Sequence, residues 1–188
     1  MARSSSPRTA VTIIFSTEGP PVEQDIIVPL PLRAARETFS SWDGFLAFGC
    51  GTGLLPRAPG TWGTLLAVPL LWPLKTLSGA GYGLALLALF ALGVWICGRV
   101  GRRLGVEDHG GIVWDEMVGF WLTMAFAPPG WAWLLAGFAL FRLFDILKPW
   151  PIAALESRVQ GGLGVMLDDV LAALYAMIVL AALGRFLD

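Results

Sequence analysis

Five carboxylates of this sequence lie in or beside long apolar stretches, in three separate parts of the chain. They are Asp115, Glu116, Asp145, Asp168 and Asp169. Ionisable groups in apolar helices are costly to bury, usually face the interior of a helix bundle, and mark candidate functional sites. Oxygen ligands without neighbouring histidine or cysteine ligands suit a hard cation such as Mg²⁺, which bridges to substrate phosphates. The five acids therefore predict a magnesium site that handles phosphate groups.

The elements that must position these acids are apolar segments of helix length. Apolar residues make up 56% of the 188 residues and charged residues only 14%, whereas about 25% of residues in soluble domains are charged. This pattern predicts an all-α, polytopic membrane helix bundle with four or five membrane segments. The segments are residues 64–77, 80–98, 112–127, 130–147 and 163–184. The first is short and contains Pro69 and Pro73, so whether it crosses the membrane is left open.

The N-terminal part of the chain differs in composition. Residues 1–40 are interrupted by proline, glycine and serine, which predicts a flexible tail before a membrane domain at residues 41–188. Residues 32–48 are expected to form an amphipathic helix at the membrane interface. The apolar run at residues 11–15 is too short for a secretory signal peptide. With a net charge of −1 and no basic cluster, the sequence does not predict a nucleic-acid partner.

Charge bias predicts the orientation of the bundle. If successive segments alternate in direction, eleven of the thirteen Arg and Lys residues lie on one side, which the positive-inside rule makes cytoplasmic. Counted from the opposite ends of their segments, Asp115, Asp145 and Asp168 lie roughly 13 to 16 residues away, or ~20 to 24 Å. These depths fall near the cytoplasmic boundary of a ~30 Å hydrocarbon core. For each acidic pair at a helix start, interaction with the helix dipole alone is the alternative interpretation.

A glycine-rich stretch at residues 49–64 leads into the first segment. Free backbone N–H groups at a helix N-terminus bind anions, so this stretch is a candidate phosphate site. Gly60, Thr61 and Gly63 are its candidate binding residues. A loop needed only for close helix packing is the alternative.

Three basic or titratable side chains lie close to the acids in sequence. Arg142 and Lys148 stand three residues on either side of Asp145, where they can bind phosphate or pair with the aspartate. His109, the only histidine, is a candidate acid or base. A solvated loop histidine is the alternative for His109.

Four motifs, in order, resemble the phosphatidylglycerophosphatase A family over residues 42–188. They are Gly51-x-Gly53-Leu54-x-Pro56 with Pro59-Gly60-Thr61-x-Gly63, Asp108-His109-Gly110 with Ile112-Val113-Trp114-Asp115-Glu116, Phe141-Arg142-x-x-Asp145-x-x-Lys148-Pro149-Trp150-Pro151-Ile152, and Gly161-Gly162-x-Gly164-x-Met166-x-Asp168-Asp169. The resemblance implies a Mg²⁺-dependent enzyme of a bacterial inner membrane that converts phosphatidylglycerophosphate to phosphatidylglycerol. Its partners are then the membrane and a phospholipid substrate, and its active site faces the cytoplasm.

On this hypothesis the five acids are catalytic metal ligands, with Asp145 alternatively the base that positions water. Arg142, Lys148 and the loop of residues 51–64 would bind the terminal phosphate, and His109 would protonate the leaving glycerol oxygen. Two alternatives are kept. The first alternative is another lipid-phosphate phosphatase or a phosphoalcohol transferase, although the sequence lacks the Asp-Gly pair that begins the transferase motif. A cation transporter is the other, and it would need carboxylates nearer the midplane.

Overall fold

The computed structural model describes residues 38–106, 108–156 and 158–187. These residues form helices and no strand, which confirms the predicted all-α class for the described chain. The helices are α1 (Trp42–Ala47), α2 (Pro59–Lys75), α3 (Gly79–Leu104), α4 (Trp114–Thr123), α5 (Trp131–Leu147), α6 (Ile152–Glu156) and α7 (Gly161–Leu187), with a 3-10 segment at Gly49–Leu54. Residues 1–37 of the predicted tail, and with them residues 32–37 of the predicted interfacial helix, lie outside the described residues.

Two helices of the described chain are long and apolar enough to cross a membrane. They are α3 and residues Gly161–Phe186 of α7, each with a mean hydropathy of 2.0 in its most apolar part. The predicted number of four or five spanning segments is therefore corrected to two candidate spanning helices in the described chain. Helices α2 and α5 have 17 residues each and α4 has 10. At 1.5 Å per residue they are ~26 Å and ~15 Å long, which is less than the ~30 Å thickness of a hydrocarbon core. Helix α4 stops early because the chain turns ahead of Pro128 and Pro129, which cannot extend a helix.

Large apolar side chains cover the outer surface of the bundle. Leu84 and Leu87 of α3, Leu135 and Ile146 of α5, and Ile178 of α7 are each between 64% and 68% exposed. An exposed apolar surface that extends over several helices marks a membrane or protein interaction surface. Together with the two span-length helices, it supports membrane association.

Helix α7 lies at the centre of the bundle and packs against α3, α4 and α5. Its first turn approaches α3 so closely that a Cβ at Gly162 would overlap the carbonyl oxygen of Val94. On the facing helix, a Cβ at Gly98 would lie 3.1 Å from the backbone nitrogen of Gly162. These glycines let the two span-length helices meet backbone to backbone, the kind of contact that drives helix association in lipid.

Aromatic side chains tie α2, α3 and α4 together through backbone carbonyls. Trp121 Nε1 donates to the carbonyl oxygen of Ala67 at 2.9 Å, and Trp114 Nε1 donates to that of Leu89 at 3.1 Å. The hydroxyl of Tyr82 donates to the carbonyl oxygen of Trp121 at 2.6 Å. The polar groups of these three aromatic side chains thus each have a partner. The bonds fix the position of α4, whose first turn carries the first acidic pair.

We expect Gly162→Ala to lower the free energy of unfolding by about 1 to 3 kcal/mol, the usual cost of overpacking, because the added methyl group meets the Val94 carbonyl. The matched control is Gly79→Ala, since a Cβ at Gly79 meets nothing within 4 Å. Thermal unfolding of both variants in detergent, followed by circular dichroism, measures the difference. Equal Tm values would show that α3 and α7 do not touch at this glycine.

Candidate active site

The segment before α4 is held against α1 and the 3-10 segment by backbone contacts. Val113 N donates to the carbonyl oxygen of Ala47 at 2.9 Å. A Cβ at Gly53 would overlap the carbonyl oxygen of Gly111, so only glycine permits this approach. Helix α4 therefore starts at a fixed position, with its two acids in the first turn. There the helix dipole favours negative charge.

Three of the predicted acids converge directly. Asp115 and Glu116 of α4 and Asp169 of α7 offer carboxylate oxygens that all lie within 4.8 Å of one another. Asp115 is 6% exposed and Asp169 is 3% exposed. Glu116 Oε2 and Asp169 Oδ1 are buried and have no hydrogen-bond partner among the described residues. Because buried charges are normally paired or coordinate metals, this carboxylate triad fits a divalent cation.

Arg142 of α5 joins the carboxylate triad to a fourth acid. Its Nη1 lies 2.6 Å from Asp145 Oδ2, about one turn later on the same helix, and 3.6 Å from Glu116 Oε1. The Nε atom of Arg142 is buried and has no hydrogen-bond partner in the described part of the chain. This nitrogen can therefore donate to a ligand held beside the acids.

The fifth acid, Asp168, has a basic partner. Lys148 Nζ lies 2.8 Å from Asp168 Oδ2, which links the end of α5 to α7. Lys148 adopts a left-handed conformation with a φ of 41°, which is uncommon for a residue with a side chain. The structure thus links four of the five predicted acids through the triad and Arg142, and the fifth, Asp168, directly precedes Asp169 in α7. Three of them face one another, and the other two each pair with a cation.

The glycine-rich stretch reaches this network at the start of α2. A Cβ at Gly60 would overlap Glu116 Oε1 and would lie 2.9 Å from Arg142 Nη1. Ala58, with a φ of 49°, precedes the helix, and Thr61 lies partly buried in its first turn. The N-terminus of α2 therefore lies next to the acids at Gly60, where there is no room for a side chain.

Two other predicted residues lie elsewhere. Gly63 faces Val113, where a Cβ would come within 2.6 Å of that side chain, so its place is in helix packing. The ring of His109 packs edge-on against Phe48 at 6.1 Å between centroids. Its Nδ1 accepts a hydrogen bond from Gly111 N at 3.1 Å. In the described chain no hydrogen bond or ion pair joins His109 to the acids.

One buried charge was not predicted from the sequence. Asp43 of α1 is 1% exposed, and its carboxylate lies 3.0 Å from Arg99 Nε and 2.8 Å from Arg103 Nη1. Burial alone would raise the pKa of Asp43, but hydrogen bonds from Ser41 and Arg103 and the charge of Arg103 hold it below its ordinary value. This network fixes α1 to the end of α3. The i, i+4 spacing of the two arginines signals a shared acidic partner without identifying it.

We expect Asp43→Asn to lower the free energy of unfolding at neutral pH by about 1 to 3 kcal/mol, between the values for exposed and buried ion pairs. Because the pKa of Asp43 is lowered in the folded protein, its stabilisation is present above the unfolded pKa of ~4 and is lost as the pH falls through the folded value. The Tm difference between wild type and variant should therefore shrink in acid. A difference that widens as the pH falls would contradict the pairing.

Comparison with known proteins gives a consistent result. A family model described as Phosphatidylglycerophosphatase A matches residues 45–184. A Haemophilus influenzae protein named phosphatidylglycerophosphatase A is 49% identical over 140 residues, which cover 73% of this chain and 86% of that protein. An Escherichia coli protein of the same name is 41% identical over 141 residues, which cover 74% of this chain and 82% of that protein.

A third relative carries another substrate in its name. A Bacteroides thetaiotaomicron protein, provisionally named a phosphatidylinositol-3-phosphatase, is 41% identical over 143 residues, which cover 71% of this chain and 87% of that protein. No solved structure matches this chain.

Proposed function

The chain belongs to the phosphatidylglycerophosphatase A family, and we propose that it hydrolyses the terminal phosphate of phosphatidylglycerophosphate to give phosphatidylglycerol in a Mg²⁺-dependent reaction. The observation that carries the proposal is the carboxylate triad, which lies beside Arg142 and the N-terminus of α2. Acids that suit a hard cation and donors that suit a phosphate thus meet at one place. Phosphatidylglycerol is itself a membrane lipid, so the reaction would belong to phospholipid biosynthesis.

The carboxylate triad is the proposed place for Mg²⁺. The triad offers the hard carboxylate oxygens that this ion prefers, within 4.8 Å of one another. Two carboxylate oxygens of the triad, Glu116 Oε2 and Asp169 Oδ1, have no hydrogen-bond partner in the described chain. A bound Mg²⁺ lowers the pKa of water and neutralises phosphoryl oxygens. Asp145 and Asp168 flank the triad, and their basic partners hold them in place.

Arg142 and Lys148 are the proposed phosphate ligands. The free Nε of Arg142 can donate to a phosphoryl oxygen while Nη1 keeps its contacts with Glu116 and Asp145. A charge-assisted bond of this kind is about twice as strong as a neutral one. The first turn of α2 at Gly60 lies next to the same guanidinium, where the helix dipole favours an anion. The N–H groups of Thr61 and Trp62 in this turn already donate to the carbonyl oxygen of Ala58.

Asp145 is the proposed base. Its Oδ2 lies 2.6 Å from Arg142 Nη1 beside the triad, where the carboxylate can accept a proton from the attacking water. As the water oxygen bonds to phosphorus, the bond from phosphorus to the glycerol oxygen breaks. That oxygen takes up a proton from solvent water, to which Asp145 then releases the proton that it accepted. We assign His109 no direct part in this transfer, because its contacts are with Phe48 and Gly111.

We further propose that the protein is a multi-pass protein of the bacterial inner (cytoplasmic) membrane, with its acids at the cytoplasmic face. The strong bias of Arg and Lys towards one side supports this orientation. The exposed apolar surface and the two span-length helices support insertion. The shorter helices α2, α4 and α5 would then pack between the spanning helices at partial depth.

The metal assignment predicts two classes of variant. Asp115→Asn and Asp169→Asn should each reduce turnover by at least about a hundredfold, because even outer partners of metal ligands contribute 10- to 100-fold. The control on the same helix, Asp168→Asn, removes the partner of Lys148 and leaves the triad intact, so excess Mg²⁺ should restore much of its activity. Phosphate release across a Mg²⁺ titration measures both effects. Full activity of Asp169→Asn at low Mg²⁺ would overturn the assignment.

The substrate assignment predicts a clear ranking. A terminal phosphomonoester carries close to two negative charges at neutral pH and suits both Arg142 and a cation, whereas a diester offers one charge and no terminal group. Purified protein should release phosphate from phosphatidylglycerophosphate, leave phosphatidylglycerol intact, and act on soluble glycerol phosphate at a kcat/KM lower by about a hundredfold, since it loses the lipid's positioning. Faster release from phosphatidylinositol 3-phosphate would instead favour the substrate named for the Bacteroides relative.

A further inference from the structure

Helix α1 is too short to hold its own position. It has six residues, whereas isolated helices shorter than about 12 to 15 residues are marginal in water. Its aromatic side chains, Trp42 and Phe45, are 59% and 43% exposed, and Trp42 stacks on Trp95 of α3 at 5.3 Å between ring centroids. On its inner face α1 buries one charged residue, Asp43, and two small ones. Because so little apolar area is buried there, the place of α1 depends on the contacts of Asp43.

These contacts join α1 to the end of α3. The carboxylate of Asp43 lies 3.0 Å from Arg99 Nε and 2.8 Å from Arg103 Nη1, which are one turn apart on α3. Arg103 Nη1 also donates to the hydroxyl of Ser41, the N-cap of α1, at 2.9 Å. Since Asp43 is 1% exposed, solvent screens these pairs less than it screens a surface pair.

The other end of α1 contacts the residue at which α4 begins. The carbonyl oxygen of Ala47, one turn after Asp43, accepts a hydrogen bond from Val113 N at 2.9 Å. Val113 is fully buried and is the N-cap of α4, although a valine has no polar side chain with which to cap a helix. A Cβ at Gly49 would come within 2.6 Å of the Val113 side chain. The end of α1 therefore sets where α4 begins, and Asp115 follows two residues later.

We propose that Asp43 is a positioning residue for the carboxylate triad, an inference that rests on the proposed function. Asp43 fixes α1 to α3, and α1 fixes the start of α4 through Ala47. Asp115 and Glu116 lie in the first turn of α4, whereas Asp169 belongs to α7. A shift of α4 therefore changes the spacing of the three carboxylates. Mg²⁺ demands near-ideal octahedral geometry, so its affinity falls when that spacing changes.

Asp43→Asn should weaken Mg²⁺ binding by about tenfold, the lower end of the range for residues that orient metal ligands. Isothermal titration calorimetry of the purified protein in detergent with Mg²⁺ measures this without turnover. Because the ligands themselves remain, kcat at saturating Mg²⁺ should stay close to that of wild type. The Mg²⁺ concentration for half-maximal activity should rise instead. Arg103→Gln should weaken Mg²⁺ binding in the same way, since it removes a partner of Asp43.

Two controls separate positioning from a general loss of stability. Arg102→Gln removes a charge from the neighbouring exposed position of α3 and leaves the ion pairs of Asp43 intact. Leu180→Ala opens a cavity in α7 about three turns beyond Asp169 and should lower the Tm. Both controls should bind Mg²⁺ as the wild type does. Equal weakening of Mg²⁺ binding in Leu180→Ala and in Asp43→Asn would make Asp43 a general stabiliser and would overturn the inference.

Amide hydrogen exchange gives a second readout that needs no metal. In Mg²⁺-free protein, Asp43→Asn should speed exchange across residues 111–118, because the start of α4 opens more often once α1 is no longer fixed. Leu180→Ala should leave exchange in these residues unchanged. Wild-type exchange there in Asp43→Asn would refute the positioning role, although the phosphatase assignment stands. A wild-type protein that binds no Mg²⁺ would instead overturn the metal assignment of the proposed function, and the role of Asp43 with it.

Discussion

Three carboxylates within 4.8 Å of one another, two of them almost fully buried, repel each other unless positive charge lies among them. Two like charges at 4 Å cost about 4 kcal/mol even at an effective dielectric constant of 20. Arg142 and Lys148 pair with Asp145 and Asp168, and within the described residues one cation contact to the carboxylate triad is seen, that of Arg142 with Glu116 at 3.6 Å. A further cation would relieve this repulsion, and in the proposed function Mg²⁺ fills this role.

Close packing between the helices brings the three carboxylates of the triad together. Gly119, one turn below Asp115 on α4, faces the ring of Phe141, and a Cβ there would lie 3.1 Å from the carbonyl oxygen of Asp169. The absence of a side chain lets α4, α5 and α7 approach just beneath the triad. Gly60 does the same for α2 above it. Small residues at helix contacts thus bring acids from separate helices to one place, and a larger residue at either glycine would push a helix away from the site.

Much of the site could be predicted from the sequence because charged residues stand out in apolar helices. The depth argument placed acids of three segments in one layer, and the structure connects Asp115 and Asp145 through Glu116 and Arg142, with Asp168 directly before Asp169 of the triad. It could not say which acids meet, since that depends on helix rotation and tilt. Nor could it separate Gly60, which faces Glu116, from Gly63, which packs on Val113. The number of spanning helices was overestimated because the apolar segment at residues 112–127 includes the turn after Thr123, and because α2 and α5, with 17 residues each, are slightly shorter than a ~30 Å core requires.

The most direct test of the central claim is the thermal stability of the purified protein with and without Mg²⁺. A ligand that binds only the folded state stabilises it by about 2.7 kcal/mol at a hundred times its Kd. The Tm of wild type should therefore rise with Mg²⁺, while Asp169→Asn should show little rise. In EDTA the variant should be at least as stable as wild type, because it has lost a buried charge that repels its neighbours. A wild-type Tm that does not respond to Mg²⁺, or a variant that responds equally, would contradict the account.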